Sequence, residues 1–172
     1  MVVLKWLDEN IEKSIILVSY VLMTAIIFVE VIRRFAFGQQ APWSSTIPIY
    51  LFLWVTWIGC AYNCKRRSHL RFEEFRMRLP YSGQFFCLVV DHLVWIGFSL
   101  LVIYYSMQQV QIAYDNFAIV QGTDDVMQWW FYTATPIGFA LVIYRVLRNL
   151  FDDIRRYRNN EPMMVNIGVG AD

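Results

Sequence analysis

The sequence predicts an all-α integral membrane protein: four transmembrane helices, N-in and C-in, with short interfacial helices. Three observations carry that expectation. Of the 172 residues, 58% are hydrophobic and only 17% charged, where a soluble domain carries about 25% charged residues. The apolar residues gather into four long stretches. Lysine and arginine are confined almost entirely to one side of those stretches.

A hydrocarbon core about 30 Å thick is crossed by ~20 mostly apolar residues in a helix. Lipid offers backbone groups no hydrogen-bond partner, so a helix is the form each crossing takes. The first span is expected over 14–32, ending at Arg33 and Arg34. The second covers 48–64 and stops at Lys65, Arg66 and Arg67. The third covers 85–105 and the fourth 127–147. The chain before the first span is acidic and has no small-residue cleavage site, so that helix is expected to stay as an anchor.

Basic residues set the orientation. Two lie in the N-terminal segment (Lys5, Lys13), six in the second loop between Lys65 and Arg78, and five from Arg145 to Arg158. The first loop holds two and the third none. Thirteen against two places both termini in the cytoplasm by the positive-inside rule. Trp43, Tyr104, Tyr105, Trp129 and Trp130 then fall at the outer interface, where an apolar ring with one polar atom is favoured.

The remaining segments follow from periodicity. Val3, Leu4, Leu7 and Ile11 alternate with Lys5, Asp8, Glu9 and Glu12, the pattern of a helix lying on the membrane surface before the first span. Phe72, Phe75 and Leu79 suggest a second short interfacial helix, closed by Pro80. Beyond Leu147 the fourth helix is expected to continue into the cytoplasm, making one transmembrane domain over 1–158. Residues 159–172 are expected to be a flexible tail. Pro136, preceded by Thr133 and Thr135, predicts a gentle kink, the hydroxyls serving carbonyls that proline leaves unpaired.

Ionisable groups inside a span are expensive and raise functional questions. Glu30 has Arg33 and Arg34 three and four residues on, one helix face, where pairing neutralises the carboxylate. Contact with a partner subunit is the alternative. Asp91 and His92 sit about two turns into the third span. Asp91 is within reach of a basic residue such as Lys65 or Arg66, and His92 is placed to hydrogen-bond across helices. One such pair is expected to be structural, since a proton relay needs a chain of them. Cys60 and Cys64 share a helix face with Cys87 elsewhere, the distribution of small buried hydrophobes more than of a disulfide framework.

Several function classes are excluded. A net charge of +1 offers nucleic acid no basic surface. No catalytic, metal or cofactor constellation stands out, so the chain is expected not to be an enzyme. A haem bundle needs axial ligands, commonly histidine, and only His92 lies within a span. Cys60 and Cys64 as a membrane redox pair fall on the cytoplasmic side. A small four-helix multidrug exporter acting as a homodimer is the stronger rival, but the basic bias opposes dual insertion and Glu30 is far from the midplane. A stand-alone transporter would show repeats and broken helices. An accessory subunit remains, a bundle that holds or enlarges another membrane protein.

The run from Arg33 to Gly38, then Pro42-Trp43, Trp54, the Trp57–Ala61 segment and the basic turn Arg67–Arg71 resembles the small membrane subunit, DctQ/SiaQ type, of tripartite ATP-independent periplasmic (TRAP) transporters. Four-helix length and N-in, C-in topology match along nearly the whole chain. The sequence departs where many members carry acidic residues after the tryptophan and this chain has Ser44-Ser45; the segment from Pro42 to Tyr50 looks most like the sialic acid branch. The resemblance implies a large TRAP membrane subunit carrying substrate and Na⁺ sites, and a periplasmic substrate-binding protein. Uptake would be of an organic acid across the bacterial inner membrane. It assigns this chain no catalytic residue. Glu30, Arg33, Arg34, Trp43, Ser44 and Ser45 are the expected interface with partner or membrane lipids.

Overall fold

Residues 2–67 and 78–162 are described by a computed structural model. In chain order they form α1 (Val2–Phe37), a 3₁₀ turn (Pro42–Ser44), α2 (Ile47–Lys65), α3 (Tyr81–Asp115), the short α4 (Trp129–Tyr132) and α5 (Ala134–Arg158). Among the described residues, four stretches are long and apolar enough to cross a membrane: Asn10–Phe37, Pro42–Lys65, Tyr81–Asp115 and Trp129–Arg158. The expected helix through Phe72 and Phe75 lies outside the described residues, as does the tail from 163 onward.

No proline or glycine interrupts Val2–Phe37, and α1 is one continuous helix of 36 residues. At 1.5 Å per residue it is about 54 Å long, well beyond the bilayer core. This corrects the expectation of a separate surface helix before the first span. Glu12, assigned above to the polar face of that surface helix, is fully buried inside the protein. The N-terminal segment therefore continues the transmembrane axis and does not turn into the membrane plane.

The fourth crossing is divided at Thr133, between α4 and α5. Pro136 has no N–H to offer the Tyr132 carbonyl, and the Thr133 hydroxyl donates to the Trp130 carbonyl at 2.5 Å. The helix resumes through the Ile137 amide, which donates to the Thr133 carbonyl at 3.1 Å. α5 then runs without a break to Arg158.

The helices do not close into a bundle. α1 packs along α2, α2 along α5, and α5 along α3. Among the described residues, no close backbone approach joins α1 to α3 or α5, or α2 to α3. The spatial order α1–α2–α5–α3 is an open row, one helix thick. Lipid tails are as apolar as leucine, so no hydrophobic force drives a membrane helix pair to close a ring. What holds the row is close packing and polar contact between neighbours.

Each seam shows one or both. On α1 the buried and half-buried residues Glu12, Ile16, Ser19, Met23, Ile26 and Glu30 alternate spacings of four and three, the repeat of a left-handed coiled pair. Across the α2–α5 seam, buried Ala134, Gly138 and Val142 recur every fourth residue. A side-chain carbon at Gly138 would lie 2.6 Å from Trp57 Cβ, so glycine permits this approach. Ala61, Cys64, Val142 and Val146 form the buried core of the same seam, with Cys60, Trp95, Ile96 and Leu141 against it. All three cysteines are free thiols. On the α3–α5 seam the Phe98 and Phe139 rings stand 6.0 Å apart, and Tyr157 stacks on Phe85 at 4.2 Å.

At the opposite end from the termini, the two outer loops touch. The α3–α4 connection makes a small hairpin, with the Val120 amide donating to the Val126 carbonyl and the Gln128 amide to the Ala118 carbonyl, both at 2.8 Å. Gly122 at its tip has φ +83°, which L side chains rarely adopt, and its α-carbon faces Pro42 and Trp43. An added side-chain carbon would sit 2.5 Å from the Trp43 nitrogen. Gly122→Val should therefore push the hairpin off the 3₁₀ turn, at about 1–3 kcal/mol for overpacking. We expect a lower melting temperature for the detergent-solubilised variant, with Gly97→Ala, which meets nothing within 4 Å, unchanged. Equal melting of Gly122→Val and wild type would refute the docked-loop reading.

Candidate functional site: buried charges at the terminal end of the row

α5 carries a polar stripe where an amphipathic helix would be expected to bury only apolar residues. Arg145, Asn149 and Asp153 recur every fourth residue, so they share one face, and all three are buried. That face looks into the row and continues the Gly138–Val142 line. Two carboxylates organise what they touch.

The first is Glu12 of α1, fully buried. Its Oε1 accepts a hydrogen bond from Arg145 Nε at 2.7 Å. Its Oε2 lies 3.5 Å from Lys65 Nζ at the last residue of α2. One carboxylate thus ties three helices that otherwise meet only in pairs. An ionised carboxylate in a low-dielectric interior is tolerated when cations and donors meet it there, and two cations do so here.

The second is Asp153, also fully buried. Its Oδ1 accepts from Arg67 Nη1. Its Oδ2 lies 2.9 Å from His92 Nε2 on α3. Arg67 Nη2 also donates to the Asn149 carbonyl at 3.2 Å, and Asn149 Nδ2 donates to the Cys64 carbonyl at 2.9 Å. The α2 C-terminus is thereby capped by side chains from α5. Arg67 holds φ +54°, a left-handed conformation that costs a non-glycine residue about 1–2 kcal/mol; its contacts with Asp153 and Asn149 offset that.

His92 thus makes the cross-helix contact expected of it, and the carboxylate it meets is Asp153. Asp91 beside it is half-buried. Lys65, named above as a partner for Asp91, is engaged with Glu12, and Arg66 lies over the ring of Tyr62 on its own helix. Glu12, Arg67, Arg145, Asn149 and Asp153 were not recognised as site residues from the sequence. Arg145 and Asp153 passed as part of a cytoplasmic tail. The four-residue spacing of polar residues on the face shared with Gly138 and Val142 was the signal available.

At the other end, Glu30 serves the chain internally. Its Oε1 accepts from the Ala41 amide at 2.9 Å, and its Oε2 lies 3.9 Å from Arg33 Nη1. Ser44 is buried and donates to the Ala41 carbonyl at 2.6 Å. Ser45 Oγ reaches the Pro42 carbonyl at 3.5 Å. Arg34, Trp43 and Ser45 are exposed. The six residues named from the sequence therefore divide into an inward-facing set that shapes the loop and an outward-facing set that is available.

The network makes a mutational prediction. Removing one member of a buried ion pair typically costs about 3–5 kcal/mol, because the partner charge is left buried. Asp153→Asn should sharply lower the melting temperature and folded yield in detergent, and His92→Gln should have a smaller effect. Asp152→Asn changes the exposed neighbouring carboxylate and should leave both measures intact. Equal effects of Asp152→Asn and Asp153→Asn would show that the network is not what holds this end.

Residues 23–156 match the family described as tripartite ATP-independent periplasmic transporters, DctQ component. The chain is 23% identical over 152 residues to the sialic acid TRAP transporter small permease protein SiaQ of Vibrio cholerae, covering 87% of this chain and 84% of that one. It is 24% identical over 148 residues to the ectoine TRAP transporter small permease protein TeaB of Halomonas elongata, covering 84% and 76%. It is 22% identical over 164 residues to the isethionate TRAP transporter permease protein DctMQ of Oleidesulfovibrio alaskensis, covering 89% of this chain and 25% of that longer protein. The matched region takes in the second half of α1, all of α2, α3 and α4, α5 as far as Arg156, and the Asp153 cluster, and the chain belongs to the DctQ component family of TRAP transporters, as a multi-pass small permease subunit of the inner membrane.

Proposed function

We propose that this chain is the non-catalytic scaffolding subunit of a Na⁺-coupled TRAP transporter, placing and widening a large transport subunit in the bilayer. The observation that supports this best is the open row. A layer one helix thick, clamped by buried charges at one end and docked loops at the other, has the form of an extension to another protein's membrane domain. The DctMQ relative, of which this chain matches a quarter, is consistent with a role beside a larger permease.

Both termini lie in the cytoplasm in this reading, with the Asp124–Asp125 hairpin in the periplasm. The outward-facing set at the periplasmic end, Arg34, Trp43 and Ser45, contacts the large subunit or lipid, while Glu30, Arg33 and Ser44 hold the loop that presents them. Arginine's planar fork suits two-point contact with carboxylates, and tryptophan is an effective interface anchor. The solute is an organic acid delivered by a periplasmic binding protein, and sialic acid is the first to assay. Relatives named for isethionate, sialic acid, ectoine and C4-dicarboxylates match to similar degrees, the pattern expected if solute choice resides in the other subunits.

Affinity purification of the tagged chain from native membranes, followed by reconstitution, tests this. The large subunit should copurify, and the purified small chain alone should give no Na⁺-driven uptake into liposomes. Arg34→Glu and Trp43→Ala should insert normally, with a reporter at Asn159 cytoplasmic, yet recover several-fold less large subunit. Uptake by the small chain alone, or a periplasmic reporter at Asn159, would overturn the proposal.

A further inference from the structure

At the terminal end of the α1–α2 seam, two cations converge on one tyrosine. Lys13 Nζ lies 6.0 Å from the centroid of the Tyr62 ring, and Arg66 Cζ lies 5.8 Å from the same centroid. Arg66 Nη1 also donates to the Tyr62 hydroxyl at 3.4 Å. Lys13 and Arg66 are both exposed. Among the described residues neither forms an ion pair with a carboxylate. Lys65, Arg67 and Arg145, at the same end, each meet a buried carboxylate. Two like charges gathered on a weakly attractive ring, with no ion-paired carboxylate among the described residues, are placed to receive an anion from outside the chain.

Depth indicates which anion. Lys13 immediately precedes the apolar stretch of α1, and Arg66 immediately follows that of α2, so both stand at headgroup level. Below them the two helix faces continue into the hydrocarbon. Leu17 and Tyr20 follow Lys13 at four and seven residues, on its face of α1, and both are exposed. Gly59 precedes Tyr62 by three on α2, and nothing lies within 4 Å of where its side chain would be. The pair of faces forms a shallow trough with a cationic head and an apolar floor.

We propose that this trough binds an anionic phospholipid, with the headgroup phosphate between Lys13 and Arg66 and an acyl chain along Leu17 and Gly59. Anionic headgroups attract basic residues at the bilayer surface, a bonus that amounts to about fivefold in affinity per residue. The ring of Tyr62 keeps the two cations together through cation–π attraction, so the site is formed before the lipid arrives. Under the proposed orientation the lipid belongs to the cytoplasmic leaflet; the binding itself does not depend on that assignment.

Native mass spectrometry of the full chain, in the complex purified from membranes and then delipidated, tests this. Phosphatidylglycerol is titrated in, with phosphatidylcholine as the zwitterionic control. Wild type should retain phosphatidylglycerol in preference, and Lys13→Ala with Arg66→Ala should weaken it about 25-fold, the product of two fivefold losses. Lys13→Arg should retain it, as should Arg158→Ala, which removes an exposed cation at the same end. Three results would overturn the proposal: undiminished binding by the double variant, displacement of the lipid by millimolar inorganic phosphate, or loss of the large subunit from the double variant with lipid retention unchanged. The last would mean that a protein carboxylate occupies the trough.

Discussion

A carboxylate buried between membrane helices has to find its countercharge inside the protein, because neither lipid nor water is there to supply one. Glu12 and Asp153 impose that constraint on this chain. Meeting it fixes the relative height and rotation of all four crossings: Glu12 draws in α5 through Arg145 and α2 through Lys65, and Asp153 draws in α2 through Arg67 and α3 through His92. α5 contributes to both groups, and it is also the helix that divides the row. The hydrophobic effect cannot register helices against one another within lipid, whereas ion pairs of fixed geometry can.

The same logic explains why an open row holds its shape. Among the described helices, the backbone of α1 packs along α2, and that seam is pinned at both ends by acid. Glu12 and Glu30 are 18 residues apart, about five turns, and therefore lie on the same face. Glu12 holds the inner end through side-chain cations; Glu30 holds the outer end through the Ala41 amide. Between them the seam is formed by Ile16, Ser19, Met23 and Ile26. The outer loops add a second clamp, Gly122 on Pro42 and Trp43, which links the α1–α2 turn to the α3–α4 hairpin. A layer secured at both edges of the bilayer can leave its two broad faces free for lipid and for a larger neighbour.

Much of this was legible in the sequence, and the division has physical reasons. Span number follows from apolar run length, which bilayer thickness dictates, so four crossings could be read directly. His92 stood out because a polar residue amid apolar ones is conspicuous. Glu12, Arg145 and Asp153 did not, because each sits near a span end, where charged residues are common and ordinarily face water. Their burial depends on which helices become neighbours, and that is a tertiary fact. Nor could the open row be foreseen: a bundle and a row use the same four apolar helices. Glu30 was visible as an anomaly, yet its principal partner is a backbone amide 11 residues away, which no side-chain pattern encodes.

The claim that buried charge pairing sets the register of the row is tested most directly by a double-mutant cycle on Glu12 and Arg145. Glu12→Gln, Arg145→Gln and the double variant would be compared with wild type by thermal melting in one detergent. If the pair acts as a unit, each single variant is strongly destabilised, and the double variant loses clearly less than the sum, with a coupling of about 0.5–3 kcal/mol. Additive losses, with no coupling, would contradict the account and leave packing alone to hold the helices in place.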